Sequence, residues 1–225
     1  MLLLSLRVSL VSVGLMLVPG VACAWVLARR RFWGKAAVDV LVHLPLVLPP
    51  VVVGYLLLVV LGRNGIIGRW LESMGIELAF TWKGAALASA VMGFPLLVRA
   101  ARLSIEAVDI RTEQAARTLG AGPWRVFTSI TLPLAMPGLV AGVVLAFARS
   151  LGEFGATITF AGNIEGHTRT LPVAIYTYSQ VPDGDAPALR LILISVALSV
   201  LALAGAEVLA RRAAARRGVG GLDAC

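Results

Sequence analysis

Charged side chains are scarce in this sequence. Asp, Glu, Lys and Arg together make up 14% of its 225 residues, whereas a soluble domain usually has about a quarter. Hydrophobic residues reach 59%, and the mean hydropathy is +0.89. This balance excludes an ordinary soluble domain. It predicts an all-α integral membrane protein, because helices satisfy their own backbone hydrogen bonds in lipid.

Cysteine and histidine are also rare. Cys23 and Cys225 are the only cysteines, and neither has a plausible partner, so we expect no disulfide to contribute to stability. His43 and His167 lie far apart in the sequence and lack the spacing of metal ligands. The sequence therefore predicts no metal site.

Motifs for catalysis are missing as well. The sequence has no Gly-x-x-x-x-Gly-Lys-Ser/Thr loop, which is the usual signature of a nucleotide phosphate site, and no pairing of a nucleophile with a base. We expect no catalytic residue and no cofactor in this chain. Any hydrolysis that drives its function must then come from a partner.

Long apolar runs are abundant. A transmembrane helix needs about 20 mostly apolar residues, and the region 161–187 is too polar to span, so we expect it to be an external loop. The whole chain, residues 1–225, is interpreted as one transmembrane domain embedded in lipid. The five predicted spans are Leu2–Ala28, Ala36–Leu61, Gly84–Val98, Leu134–Phe160 and Ala188–Leu209.

Basic residues are distributed unevenly on the two sides of these spans. Thirteen of the 20 Lys and Arg fall on one side, which includes the cluster Arg29–Arg31, and seven fall elsewhere. Cytoplasmic loops carry the excess of Lys and Arg, so we expect the N-terminus outside and the C-terminus in the cytoplasm. The same rule explains the net charge of +8 better than a nucleic-acid partner would.

The first span could instead be a signal peptide, because Ala22-Cys23-Ala24 has the small residues of a cleavage site. However, no basic segment precedes it, its apolar run is long for a signal peptide, and the basic cluster that follows it is typical of a stop-transfer signal. We interpret it as an uncleaved span.

Seven of the 11 prolines lie within the predicted spans or at their start. An interior proline removes a backbone hydrogen bond and kinks its helix. The densest group is Pro45, Pro49 and Pro50, followed by Gly54. This pattern predicts a broken second span, which is more typical of a transport pathway than of an inert anchor.

The fourth predicted span contains a charge. Arg149 lies just past its middle, and Glu153 follows at i+4, close enough to form an ion pair. A charge in lipid normally faces a partner or a watery cavity. Two interpretations remain open: an internal Arg149–Glu153 pair that only stabilises the helix, or an Arg149 that lines an anion pathway with Glu153 and Phe154 near its gate.

The polar segment 105–133 separates two apolar runs. Thr112 is predicted to cap a short helix, with Glu113 in its first turn. Gly120 should supply the left-handed residue that ends this helix, and Pro123 should begin the next one. An ordered cytoplasmic segment of this kind predicts contact with a soluble partner.

This segment resembles a family signature. Permeases of binding-protein-dependent ABC importers carry an EAA motif, which is Glu-Ala-Ala, three residues, Gly, nine residues and Ile-x-Leu-Pro. The sequence matches it with Gln114-Ala115-Ala116, Gly120 and Ile130-Thr131-Leu132-Pro133, except that Gln114 replaces the first Glu and Glu113 precedes it. The resemblance implies a bundle like that of type I ABC importers. It also implies that Glu113, Gln114, Ala115, Ala116, Leu119 and Gly120 couple the permease to an ATPase.

Two further segments are similar to permeases of molybdate transporters: His43–Tyr55 and Phe147–Phe160. The resemblance implies a bacterial inner-membrane pore made by a homodimer of this chain. It further implies two copies of an ABC ATPase and a periplasmic or surface-tethered molybdate-binding protein. Sulfate and thiosulfate permeases share much of the pattern, and tungstate has the same tetrahedral shape and charge as molybdate, so the anion stays open.

Two other classes of membrane protein were weighed. An ion-coupled secondary transporter usually has internal repeats and paired intramembrane acids, and the sequence has neither. A membrane scaffold without transport has no obvious use for proline-broken spans or for Arg149. An ABC importer permease accounts for the sequence best.

Overall fold

The computed structural model describes residues 1–218, except for the side chains of residues 206, 207 and 209–218. The side chains of Arg211, Arg212, Arg216 and Arg217, which contributed to the predicted orientation, and Cys225 therefore lie outside the described part. Within that part the protein is all helical, as predicted. Its elements are α1 Leu2–Arg29, α2 Lys35–Val47, α3 Pro50–Leu61, α4 Ile66–Ser73, α5 Trp82–Glu106, α6 Ile110–Thr118, α7 Pro123–Val126, a π-helical segment Phe127–Thr131, α8 Leu132–Leu151, α9 Gly155–Phe160, α10 Leu171–Ser179 and α11 Asp185–Gly218.

Helix α5 occupies the centre of the bundle. Its first half is a run of small buried residues, Gly84, Ala85, Ala86, Ala88, Ser89 and Ala90, which let neighbouring backbones approach closely. It is longer than the predicted span Gly84–Val98. In the additional turns Ala101 and Ile105 pack in the core. Arg102 pairs there with Glu106 on α5 and with Asp39 on α2, at 2.8 and 2.9 Å.

The second predicted span is broken, as its prolines indicated. Helices α2 and α3 meet at an angle of 114°. Leu48 is extended, with φ −70° and ψ 142°, because the residue before a proline is pushed out of the helical region. Pro50 then begins α3, where its missing N–H costs nothing.

Helices α1 and α5 run in the same direction. At one end the Arg7 guanidinium lies 3.9 Å from the centre of the Trp82 ring. At the other end Arg29 contacts Glu113 on α6, which directly follows α5. The chain must therefore return across the bundle between α1 and α5. The pair α2–α3 provides that return, which gives five crossings in the described residues.

The fourth span, predicted over Leu134–Phe160, consists of two helices. A continuous apolar helical stretch runs over Pro123–Leu151, the chain leaves the helix at Gly152, and α9 continues from Gly155. Gly152 and Gly155 had indicated local bending around the Arg149–Glu153 pair. The break is complete because the buried Glu153 carboxylate accepts a hydrogen bond from the Ala156 N–H, in the first turn of α9.

The polar region 161–187, predicted to be an external loop, contains α10 and the first residues of α11. The N-terminus of α10 is buried against α1, where the Ser5 hydroxyl oxygen accepts a hydrogen bond from the Leu171 N–H at 2.7 Å. Helix α11 follows, and its residues Asp185–Gly205 are long and apolar enough to form the last crossing.

Candidate functional site

Helix α6 is defined at its start by Asp109. The Asp109 carboxylate accepts a hydrogen bond from the Arg111 N–H at 2.9 Å, which satisfies one of the free donors of the first turn. Thr112, the predicted cap, lies inside the helix instead. The prediction was wrong because Asp109 is an equally good capping residue three positions earlier and allows one more turn to form.

The end of α6 has the predicted glycine turn. Gly120 has a φ of +86°, in the left-handed region that glycine adopts without strain. The Ala121 N–H donates to the Ala116 carbonyl and the Gly120 N–H donates to the Arg117 carbonyl, both at 3.0 Å. This pair of bonds closes the helix as a Schellman motif. Pro123 then begins α7, as predicted.

The exposed side chains of α6 form a small surface that contains both apolar and polar groups. Leu119 is 88% exposed, Gln114 and Ala115 are also exposed, and Ala116 is half-buried. Trp124 on α7, close to these residues in the sequence, is also 76% exposed. It was not among the residues predicted to contact a partner. The signal available for it was a large aromatic side chain in an otherwise polar loop, which is a frequent anchor of protein interfaces.

Glu113 behaves differently from the rest of the matched segment, because its side chain points inward and is only 3% exposed. Its Oε1 accepts hydrogen bonds from Arg29 Nε and Nη2, at 3.0 and 2.8 Å, and from Thr131 Oγ1 at 2.8 Å. Arg29 Nη2 also donates to the Val108 carbonyl at 2.9 Å. Sequence reasoning missed Arg29 and Thr131 as partners, since 84 residues separate Arg29 from Glu113.

The second candidate site lies within the bundle, where α8 ends. The ion pair expected from sequence is present, with Arg149 Nη1 at 2.5 Å from Glu153 Oε2. Glu153 Oε1 accepts from the Ala156 N–H at 2.8 Å. Its side chain is 1% exposed, whereas that of Arg149 is 28% exposed.

The break between α2 and α3 and the break between α8 and α9 lie against each other at this position. A Cβ added at Gly155 would lie 2.8 Å from the Pro50 Cβ, and one added at Gly54 would lie 2.7 Å from the Ala156 carbonyl oxygen. The Phe154 ring, one residue before α9, stacks obliquely on Tyr176 of α10 with centroids 5.0 Å apart. Interrupted helices, an arginine and an aromatic ring thus come together, and unwound backbone at membrane depth is typical of transport pathways.

The depth of this site follows from α5. The Ser150 hydroxyl donates to the Ser89 carbonyl at 3.3 Å, and Ser89 lies seven residues inside the start of α5. At 1.5 Å per residue this places the level of Ser150 roughly 10 Å inside that end of the bundle. The partly exposed Arg149 can therefore supply positive potential within the membrane, where charge is weakly screened.

Comparison with protein families gives a match over most of the chain. Residues 20–215 match the family described as the binding-protein-dependent transport system inner membrane component. The chain is 60% identical to the molybdenum transport system permease protein ModB of Escherichia coli (strain K12), over 96% of this chain and 95% of that protein. It is 54% identical to the protein of the same name from Haemophilus influenzae, over 96% and 95%.

A sulfate permease and a solved transporter are more distant. Identity to the sulfate transport system permease protein CysT of Escherichia coli (strain K12) is 42%, over 73% of this chain and 59% of that protein. Among solved structures, an inward-facing form of the MetNI methionine ABC transporter aligns with a TM-score of 0.72 over 93% of both chains. Because identity to it is 18%, that likeness supports the fold alone.

Proposed function

Because the chain belongs to the family of binding-protein-dependent transport system inner membrane components, we propose that it is the permease subunit of an ATP-driven molybdate importer. It is a multi-pass inner-membrane protein and a transport subunit. The observation that carries the choice of substrate is the 60% identity to the Escherichia coli molybdenum permease over almost the full length of both chains.

Sulfate is the alternative substrate, and it is less well supported. The sulfate permease shares 42% identity, over a smaller part of both chains. Molybdate, tungstate and sulfate are all tetrahedral dianions that differ mainly in size. Selection among them would fall chiefly on the soluble binding protein, since a pore must release the anion that it receives.

The exposed part of α6 is the surface proposed to dock on the ATPase. Gln114, Ala115 and Leu119 face solvent, and the Gly120 turn fixes the direction in which α6 points. Ala115 and the half-buried Ala116 would allow close approach of the ATPase. Trp124 extends this surface onto α7. Glu113 would act by holding α6 in place, because its carboxylate is buried.

The pore would form between two copies of the chain. Helix α2 has no buried residue, and the apolar part of α11 is almost entirely exposed, so these helices are available to a second copy or to lipid.

Where the two breaks meet, Arg149 would offset part of the charge of a passing dianion, with Glu153 as its counter-ion and Phe154 at the gate. ATP hydrolysis by two partner ATPases would switch the pore between its outward-open and inward-open forms.

Transport in a defined host tests the function. The chain, with its own ATPase and binding protein, is expressed in Escherichia coli lacking ModB and, separately, in a strain lacking CysT. We expect uptake of radioactive molybdate in the first strain and no growth on sulfate in the second. Rescue of sulfate growth without molybdate uptake would overturn the proposed substrate. Molybdate uptake that persists without the ATPase would overturn the assignment as an ABC importer.

A further inference from the structure

We propose that Glu113, Arg29, Thr131 and the Val108 carbonyl, here called the Glu113 network, fix α6 to the spans and carry its movement into them. The inference rests on the proposed docking of α6 on an ATPase and assigns a positioning role to residues outside the docking surface. Glu113 in this view touches no partner. It determines whether movement of the docked helix reaches the pore.

Contacts of the network join three separate parts of the chain. Glu113 lies on α6, Arg29 is the last residue of α1, and Thr131 ends the π-helical segment before α8. The carboxylate accepts three hydrogen bonds of 2.8 to 3.0 Å on a single oxygen. Arg29 adds a fourth bond to the Val108 carbonyl, just after α5. The buried carboxylate thus bonds α6 to α1 and to the segment before α8, and Arg29 extends the connection to the end of α5.

Few other features hold α6 in place. The helix has nine residues, too short to be stable in water by itself. Glu113 is its only buried residue, while Leu119, its largest apolar side chain near the C-terminus, is 88% exposed. The Asp109 cap and the Gly120 turn determine where the helix starts and stops. They do not attach it to the bundle, so that attachment depends on Glu113.

The spans that receive the attachment share one core. Ala24 and Leu27 of α1, Val98, Ala101 and Ile105 of α5, and Ala135 and Leu139 of α8 form a single buried cluster, with Val108 at its edge. Close-packed interiors transmit displacement with little compression. A force applied to α6 through Glu113 therefore moves the ends of α1, α5 and α8 together, whereas a freely hinged α6 would move without them.

The network can be weakened in steps. Glu113→Gln removes the charge that Arg29 compensates, and Arg29→Gln leaves a buried carboxylate without its cation. Thr131→Val removes one hydrogen bond with little change of shape. Two matched controls are available: Arg30→Gln, beside Arg29 in the exposed basic cluster, and Thr128→Val, whose hydroxyl bonds only to carbonyls within its own helical stretch.

Attachment of α6 is measured first, on the full-length permease in lipid nanodiscs. Limited trypsin digestion reports opening of the segment through cleavage at Arg111 and Arg117, which are both exposed. We expect Glu113→Gln and Arg29→Gln to be cleaved at least about ten-fold faster than wild type. Loss of one hydrogen bond to a charged group corresponds to a factor of this size. Thr131→Val should show a smaller increase, and both controls should match wild type. Unchanged cleavage in all three network variants would overturn the proposal.

Coupling is measured second, on the complete transporter in proteoliposomes. In Glu113→Gln and Thr131→Val we expect the ATPase to copurify and to hydrolyse ATP, while molybdate imported per ATP falls several-fold in proportion to the cleavage rates. Loss of ATPase copurification with normal cleavage would make Glu113 a docking contact and would overturn the proposal. Failure of the wild-type transporter to import molybdate would instead count against the proposed function, because the cleavage assay requires no substrate.

Discussion

At the scale of single residues, Gly120 has the most specific backbone requirement in the proposed docking segment. Its φ is +86°, and a Cβ added there would meet no atom within 4 Å. A substitution is therefore opposed by backbone strain and not by crowding. β-Branched residues are the least tolerant of this region.

We expect Gly120→Val to reduce molybdate uptake at least about ten-fold, because a strain of 1–3 kcal/mol in the turn would displace α6 from its docking direction. Gly122→Val is the matched control, since Gly122 has a φ of −67° and equally open space around it. Uptake and ATPase copurification are measured together, with membrane insertion verified by immunoblot. Equal uptake in both variants would contradict the role of the turn.

Arg149 and Glu153 allow the two interpretations of their ion pair to be separated. We expect the double variant Arg149→Met, Glu153→Gln to insert and to bind its ATPase, because removing both charges avoids an uncompensated one. Its molybdate uptake should still fall more than about ten-fold, since the passing dianion loses a positive potential within the membrane.

The control is the double variant Arg169→Met, Glu165→Gln. These two residues form an i, i+4 pair in the polar region before α10, and their closest atoms lie 3.4 Å apart. Uptake and ATPase copurification are measured in both double variants, and uptake in the control should stay near that of wild type. Full uptake by the Arg149 and Glu153 double variant would show that this pair serves only folding.

Residue-level reasoning from sequence succeeded where the chemistry is local. The Gly120 turn, the start at Pro123 and the Arg149–Glu153 pair each depend on residues within five positions of one another. Burial of Glu113 could not be predicted in the same way, because Arg29 comes from α1. A lone Glu in a polar helix gives no sign of a cation that arrives from so distant a part of the chain.

At the scale of helices, α3 and α9 cross closely near the proposed pore. Gly54→Ala would bring a methyl group to 2.7 Å from the Ala156 carbonyl oxygen and 2.9 Å from its Cα. Both are backbone atoms, so the crowding cannot be relieved by a side-chain rotation. The two helices must separate or tilt.

We expect Gly54→Ala to destabilise the permease by about 1–3 kcal/mol through overpacking, despite a gain in helix propensity of up to about 1 kcal/mol. Gly14→Ala is the control, because a Cβ at Gly14 on α1 meets nothing within 4 Å, so only the propensity gain applies. The midpoint of thermal aggregation in detergent should fall for Gly54→Ala and hold or rise for Gly14→Ala. A fall of equal size in both would contradict the close crossing.

The existence of the helices was easier to predict than their interruptions. Apolar length alone predicted all five crossings, and Pro49 and Pro50 marked the break between α2 and α3. No proline marks the break at Gly152, because Pro133 and Pro137 lie near the start of α8. It depends on Glu153 capping α9, and a carboxylate within a span could equally well have paired with Arg149 along one continuous helix.

At the scale of the whole molecule, the number of crossings follows from which helix ends meet. Contacts of Arg7 with Trp82 and of Arg29 with Glu113 place α1 and α5 parallel. A re-entrant α2–α3 would leave these two helices antiparallel in the membrane, so the bent pair must cross. From the basic cluster at Arg29–Arg31 and the positive-inside rule, we then expect α6 in the cytoplasm.

Labelling of single cysteines tests this arrangement. In a background with Cys23→Ala and Cys225→Ser, four exposed positions sample both ends of the bundle: Trp33, Met74, Leu119 and Val181. In intact cells with a permeable outer membrane, a membrane-impermeant maleimide should label Met74→Cys and Val181→Cys. It should label Trp33→Cys and Leu119→Cys only after the inner membrane is opened.

Met74→Cys is the decisive position, because it follows α4 and so reports whether α2–α3 crosses the membrane. Five crossings place it outside with Val181, whereas a re-entrant α2–α3 would place it inside with Trp33. A tag at Asp223, which lies outside the described residues, should be protected together with Leu119. Labelling of Leu119→Cys in intact cells would overturn the orientation and, with it, the proposed docking of α6 on a cytoplasmic ATPase.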